Sequence, residues 1–173
     1  NVKHALIATE DENFEHHNGV VPKAFFRAIL GESTGGANSG GSTITQQLIK
    51  QQILGAAPTF KRKATEMVYA LELEKHLTKD QILTDYLNVS PFGRNNKGQN
   101  IAGVEEAAQG IFGKTSKDLT VPEAAFIAGL PQSPIVYSPY NANGTLKSKE
   151  NMQFGLDRQN EVLFNLYRNN YIS

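Results

Sequence analysis

The segment EDENFEHHNG, residues 10–19, is the first in the chain whose residue types could carry out chemistry. Its adjacent carboxylates, Glu10 and Asp11, are followed by Phe14 and His17. Carboxylates and imidazoles are common general acids and bases, and a carboxylate near an aromatic ring is less well solvated and hence more basic. The segment therefore suits acid–base catalysis. The alternative is a solvated helix end.

The segment GGSTITQQLIK, residues 40–50, is a glycine turn that leads into a polar helix start. Such a start presents free backbone N–H groups and hydroxyls, which are good partners for an anionic oxygen. It lacks the spacing of a Walker P-loop, and Lys50 comes two turns later on the helix. The candidates for anion binding here are Ser42, Thr43, Gln46 and Lys50. The alternative is an ordinary Ser/Thr N-cap followed by a solvated glutamine face.

Lys61-Arg62-Lys63, followed by Glu66, forms a basic cluster. Three consecutive cations can bind a diphosphate, and arginine supplies a planar fork for its oxygens. Glu66 also lies three and four residues after two of these cations, so a surface ion-pair set is the alternative. The four histidines show no zinc-ligand spacing, which argues against a metal held by the protein alone.

The composition is that of a globular domain: 173 residues, 39% hydrophobic and 20% charged. Lys plus Arg and Asp plus Glu number 17 each, so no net charge favours nucleic acid as a partner. The absence of cysteine excludes disulfides and thiolate chemistry. No apolar run approaches the roughly 18 residues that span a bilayer. We expect the chain to be one domain of a longer protein, with any membrane anchor outside it.

The elements that must position these residues are mainly helices. Residues 61–77 are rich in helix formers, and Thr78 with Gln81 has the spacing of a capping box. Thr120 with Glu123 repeats that box before a helix that should end near Gly129, and a last helix is expected at about 151–169. No segment alternates with period two, so strands should be short and local. The glycine-rich stretch at about 31–41 predicts a mobile loop, with a simple linker as the alternative.

Taken in order, these segments resemble the motifs of the family 51 peptidoglycan glycosyltransferases, the polymerase domain of class A penicillin-binding proteins. The first three motifs are matched by Glu10, Asp11, Phe14, His17 and Gly19, by Gly40 through Gln47 with Lys50, and by Arg62, Lys63 and Glu66. The last two are matched by Lys79, Ile82, Leu83, Tyr86, Leu87 and Asn88, and by Arg158, Val162 and Leu163. The series runs from residue 10 to residue 163, and its order makes it specific.

The sequence departs from the family pattern in three places. Gln51 stands where the family usually has Asn, and the segment 91–101 is longer than the usual connection. Ala57-Pro58-Thr59 occupies a region where the family often carries a basic residue. These differences concern the full set of phosphate contacts, for which Lys50 and Arg62 remain the main candidates.

The resemblance implies a lysozyme-like helical lobe with a smaller jaw lobe that touches the membrane. The apolar segments 24–30 and 53–60 are candidates for its lipid-facing surface, with ordinary core as the alternative. The domain, residues 1–173, would belong to a protein anchored at the outer face of the bacterial cytoplasmic membrane. Its expected partners are the membrane surface, a C-terminal transpeptidase domain and other cell-wall synthesis proteins.

The resemblance also implies a reaction: inverting polymerisation of lipid II onto a growing glycan chain, with release of undecaprenyl pyrophosphate. Glu10 and Glu66 would be catalytic, Glu10 as the general base, and the supporting residues would be Asp11, Phe14 and His17. Donor and diphosphate binding would fall to Ser42, Thr43, Gln46, Lys50, Arg62 and Lys63, and structural motif positions to Tyr86, Asn88 and Arg158. A divalent cation, Mg²⁺ or Mn²⁺, could come with the diphosphate and contact Glu66 through water.

Two other functions remain open. A lytic transglycosylase or muramidase shares a helical fold and one essential glutamate, but it would need no diphosphate site. A membrane- or glycan-binding module could keep the fold without catalysis. Family members also bind the phosphoglycolipid inhibitor moenomycin at the donor site, which offers a probe of the basic residues.

Overall fold

The structure, a computed structural model, describes residues 1–23, 42–54 and 60–173. The chain divides into two units, Glu10–Tyr86 on the one hand and Asn1–Thr9 with Leu87–Ser173 on the other. The predicted glycine-rich loop at 31–41, the apolar segment 24–30 and most of the segment 53–60 lie outside the described residues. The smaller jaw lobe, and the lipid-facing surface for which the two apolar segments are candidates, therefore stay predictions.

The unit Glu10–Tyr86 is mainly helical and contains all but two of the predicted site residues. A 3₁₀ turn at Phe14–His16 lies within the first motif, and helix α2, Ile44–Ile49, continues into a π-helical turn at Lys50–Leu54. Helix α3, Phe60–His76, packs against α2, and α4 follows at Lys79–Val89. A buried cluster joins α2 and α3 through Val20, Ile49, Met67 and Ala70.

The other unit contains α1, Val2–Glu10, up to its penultimate residue, and all the elements that follow α4. Strands β1, Pro91–Arg94, and β2, Asn100–Ala102, pair antiparallel, and α5, Val104–Ala107, continues into a π-helical turn at Ala108–Phe112. After a 3₁₀ turn at Ser116–Asp118 come α6, Val121–Gly129, a 3₁₀ turn at Leu130–Gln132, α7, Pro134–Tyr137, and α8, Lys149–Arg168. The core of this unit forms where α6 packs along α8.

Helix α1 contacts α8 near its C-terminus and the end of the chain near its N-terminus. The Asn165 side chain donates a hydrogen bond to the Thr9 hydroxyl at 3.4 Å, and the rings of His4 and Tyr171 stack with their centroids 4.5 Å apart. The apolar side chains of α1 are buried: Val2, Ala5, Leu6, Ile7 and Ala8. The helix that ends at Glu10 is therefore anchored along its length.

The predicted mainly α, lysozyme-like fold class is confirmed, and the strands of the described residues are short and local, as expected. The helix predicted at 61–77 is Phe60–His76, and the last helix, predicted at 151–169, is Lys149–Arg168. The long segment 91–101 is the hairpin β1–β2. Among the described residues, none of the helices is long and apolar enough to cross a membrane.

Candidate functional site

Glu10, the proposed base, ends α1 and lies half-buried beside the second motif. One of its carboxylate oxygens, Oε2, accepts a hydrogen bond from Nε2 of Gln47 at 3.3 Å. Gln47 lies on α2 and is half-buried, and its Oε1 accepts a hydrogen bond from the Tyr86 hydroxyl at 2.9 Å. The first and second motifs therefore meet at the carboxylate that the sequence assigns to catalysis.

Asp11 and His17 form a buried pair next to Glu10. Nε2 of His17 lies 2.6 Å from Oδ2 of Asp11, and the Gly19 N–H donates to Nδ1 of the same ring at 2.9 Å. Because Nδ1 accepts, the ring proton lies on Nε2 and is donated to Asp11. The same Asp11 oxygen accepts the Ile44 N–H at 3.1 Å, at the start of α2. Asp11 thus ties the first motif to the second, and its supporting role in catalysis stays a prediction.

Thr43 is the N-cap of α2. Its hydroxyl accepts from the Gln46 N–H at 3.1 Å and donates to the Gly19 carbonyl at 2.6 Å. Gln46 completes the capping box by accepting the Thr43 N–H at 3.0 Å. Both side chains are at most 1% exposed. Their predicted contact with the donor stays a prediction, because in this structure their polar atoms hydrogen-bond within the protein.

Glu66 is 6% exposed and connects α3 to α2. Its Oε1 accepts from Nζ of Lys63 at 3.0 Å and from Nε2 of Gln46 at 3.4 Å. The Lys63 ammonium also donates to the Ser42 hydroxyl. Lys63 and Glu66 thus form the ion pair that was the alternative for the basic cluster, but the pair is partly buried and Lys63 also contacts a hydroxyl of another segment. Diphosphate binding by the cluster stays a prediction.

The remaining cations of the predicted phosphate site are exposed. Lys50 follows the last residue of α2, where its N–H caps the carbonyls of Gln46 and Gln47, and its side chain is open to solvent. Arg62 is exposed on the first turn of α3, one residue before the half-buried Lys63. Because both side chains are exposed, they can contact an anion in solvent, which a buried cation could not do.

The structural motif residues occupy three different settings. Tyr86 is fully buried in the unit Glu10–Tyr86, and Asn88 is exposed in the other unit. Arg158, in that other unit too, is 7% exposed, and its Nε donates to the Gly129 carbonyl at 3.2 Å. Arg158 thereby joins α8 to the end of α6, and its structural role in the family motif stays a prediction.

A second, partly buried network, which was not predicted from the sequence, contacts the first motif. The Lys79 ammonium donates to Oε1 of Glu74 at 2.8 Å and sits 4.5 Å from the centroid of the Phe14 ring. The same Glu74 oxygen accepts from the Thr45 hydroxyl at 2.8 Å. Gln47 was also not assigned as a site residue. Both Gln47 and Lys79 lie inside family motifs, which is the signal that could have marked them.

The described residues contain no group of three or more His, Cys, Asp or Glu side chains that could hold a metal ion. Glu66, the residue predicted to contact a divalent cation through water, already has a lysine ammonium 3.0 Å from one oxygen. That ammonium repels a second cation at the same oxygen. These residues therefore do not fit a resident divalent cation.

Known proteins are similar in sequence to this domain over almost its whole length. The family model described as "Transglycosylase" matches residues 1–165. The chain belongs to the transglycosylase family. Penicillin-binding protein 1A of Clostridium botulinum is 43% identical over all of this chain, which spans 20% of that relative. Penicillin-binding protein 2a of Streptococcus pneumoniae is 38% identical over 99% of the chain, and penicillin-binding protein 1A of Pseudomonas aeruginosa is 41% identical over 93%.

Membership of the transglycosylase family shows the class of activity: the chain is a transferase domain, a peptidoglycan glycosyltransferase at the level of the family. The chain spans about a fifth of the length of these relatives. What it acts on, and which side chains do so, are matters for the proposal that follows.

Proposed function

We propose that this transglycosylase domain polymerises lipid II into β-1,4-linked glycan strands and releases undecaprenyl pyrophosphate, with Glu10 as the general base. The observation that supports this assignment is the difference between two adjacent carboxylates. Asp11 is 6% exposed, and one of its oxygens is occupied by an imidazole and a backbone N–H. Glu10 is half-buried and is held by a neutral amide, so its carboxylate can still meet a substrate.

The reaction begins at the 4-hydroxyl of the N-acetylglucosamine of lipid II. A sugar hydroxyl is a weak nucleophile, and a base within hydrogen-bond reach removes its proton as the attack proceeds. The hydroxyl oxygen bonds to C1 of the N-acetylmuramic acid at the end of the growing chain, and Glu10 takes the proton. The bond from C1 to the diphosphate oxygen breaks, and its electron pair leaves with the diphosphate. Direct displacement inverts C1 from α to β without a glycosyl-enzyme intermediate.

The leaving diphosphate needs charge stabilisation more than a proton. We assign this task to Lys50, which directly follows α2, and to Arg62 on α3, both of which are exposed, together with Ser42 and Lys63, which hydrogen-bond to each other. Preorganised cations that face developing negative charge lower the barrier without reorganising during the step. Glu66 then acts as a positioning residue, because it fixes the Lys63 ammonium rather than touching the substrate. A divalent cation, where one takes part, would be held by phosphate oxygens of the substrate.

The surroundings of the reaction follow from the substrate. Lipid II is a membrane lipid, so we propose that the domain works at the outer face of the cytoplasmic membrane, in a longer protein with a membrane anchor and a transpeptidase domain. The relatives are penicillin-binding proteins of which this chain spans about a fifth, which supports that proposal.

Polymerisation of purified lipid II tests the proposed function. Glu10→Gln keeps the side-chain shape and removes the base, and we expect at least a 100-fold loss of glycan formation. Glu15→Gln, which makes the same change at an exposed carboxylate of the neighbouring 3₁₀ turn, should leave the rate unchanged. Full activity of the Glu10 variant would rule out the base assignment. Release of soluble muropeptides from finished peptidoglycan, with no polymer from lipid II, would favour a lytic enzyme instead.

A further inference from the structure

Tyr86 is 0% exposed, and its hydroxyl donates to Oε1 of Gln47 at 2.9 Å. The other end of the same amide donates to Glu10 at 3.3 Å. We propose that Tyr86 is a positioning residue for catalysis: it orients the Gln47 amide so that its N–H group, and not its oxygen, faces the Glu10 carboxylate. This inference rests on the proposed function, in which Glu10 is the base.

The chemistry of the three groups permits only one arrangement while Glu10 is ionised. A carboxylate can only accept hydrogen bonds, so Gln47 must present its amide N–H group to Glu10. The amide oxygen then faces Tyr86, which must donate. A phenol can do so because its hydroxyl proton rotates to suit the acceptor. An amide turned the other way would direct its oxygen at a negative charge.

The need for such an anchor follows from the flexibility of glutamine. A free glutamine side chain has several rotatable bonds, and fixing it in one orientation costs rotamer entropy. Tyrosine, in contrast, has a rigid ring with two side-chain torsions, so burial of the ring also fixes its hydroxyl. Tyr86 lies on α4 and Gln47 on α2. Because the Tyr86 ring is fixed in the core, its hydroxyl restricts the orientation of the Gln47 amide on the other helix.

The Gln47 contact affects catalysis because it orients the Glu10 carboxylate. The Glu10 side chain is half-buried, and one of its oxygens is defined by the Gln47 contact. Acid–base catalysis requires the base within about 2.6–3.2 Å of the proton that it removes, and a displacement of about 1 Å costs a large part of the rate. Loss of the Tyr86 hydroxyl should thus lower the turnover of bound substrate more than the binding of substrate.

Tyr86→Phe removes only the hydroxyl and keeps the ring in the core. We expect kcat for lipid II polymerisation to fall about 3- to 10-fold, the range that one neutral hydrogen bond supports, with KM changed less than twofold. Tyr137→Phe is the matched control, since the Tyr137 hydroxyl donates to Oε1 of Gln132 at 3.3 Å in the other unit. That control should retain full activity.

A mutant cycle separates positioning from a merely structural role. Gln47→Met has a similar length but cannot transmit the contact, so Tyr86→Phe should cost nothing further in that background. Equal losses from Tyr86→Phe with and without Gln47→Met, or an unchanged kcat in the single variant, would overturn the inference. If Glu10→Gln abolishes activity while Tyr86→Phe has no effect, only this inference fails. If Glu10→Gln is fully active, the proposed function fails as well.

Discussion

Replacement of Asp11 tests how the acidic first motif is held against the second. One oxygen of this side chain accepts two hydrogen bonds, from the His17 ring at 2.6 Å and from the Ile44 N–H at 3.1 Å. Both donors are buried, at 8% and 0% exposure. Asp11→Ala leaves both without that acceptor, and a buried donor that loses its partner costs about 1–3 kcal/mol. We expect the free energy of unfolding to fall by about 2–6 kcal/mol.

Asp11→Asn removes the charge but can keep the geometry. An asparagine oxygen at the same position can accept from both donors, although hydrogen bonds to a charged acceptor are about twice as strong as neutral ones. With a neutral bond contributing about 1 kcal/mol, the loss should be about 1–2 kcal/mol. The order expected is therefore wild type, then Asp11→Asn, then Asp11→Ala, in decreasing stability.

Urea unfolding followed by far-ultraviolet circular dichroism measures these differences, and each kcal/mol should also lower the melting temperature by about 2–4 °C. The matched control is Asp85→Ala, at an exposed position of α4, which should be neutral or slightly stabilising because alanine has the higher helix propensity. A loss below about 0.5 kcal/mol for Asp11→Ala would refute the proposed role of the two buried donors. Equal losses for both Asp11 variants would show that charge, and not hydrogen-bond geometry, carries the interaction.

Two further predictions concern the backbone of the first motif and the exposed cations. Gly19 has φ of +105°, and a Cβ there would lie 2.6 Å from a backbone oxygen of α3, so Gly19→Ala should lower the free energy of unfolding by about 2–5 kcal/mol. Gly113→Ala, with φ of +65° and open space around it, should lose only about 1–2 kcal/mol in the same urea titration, and equal losses would exclude the clash. Lys50→Ala and Arg62→Ala should each weaken moenomycin binding about 10- to 100-fold by calorimetry, whereas Lys75→Ala should not. Unchanged affinities would place the phosphate site elsewhere.

The helices could be predicted from the sequence because their signals are local. The capping box of Thr120 and Glu123 and that of Thr78 and Gln81 both form as the spacing indicates. The helix predicted to stop near Gly129 ends at that residue. Each of these signals operates over three or four residues, so no knowledge of the tertiary structure was needed.

The contacts of the site could not be predicted in the same way, because they join residues far apart in the chain. Asp11 meets the Ile44 N–H across 33 positions, and Gln47 meets Glu10 across 37. Nothing in the composition of the second motif distinguishes Gln47 from Gln46, although one faces Glu10 and the other Glu66. The difference arises because consecutive residues of a helix point about 100° apart, and the neighbours on each side are fixed only by packing.

The predicted site residues fall into a buried group and a group that reaches solvent. The difference indicates which residues position the site and which can contact a substrate. The residues that are buried, with polar atoms that hydrogen-bond within the protein, are Asp11, His17, Thr43, Gln46, Glu66, Tyr86 and Arg158. Those that reach solvent include Glu10, Ser42, Lys50 and Arg62. A base and its cations act well only when other side chains hold them near the productive geometry. Mutation of the buried group should therefore reduce activity through stability and position, whereas mutation of the solvent-facing group should reduce activity in a protein that remains fully folded.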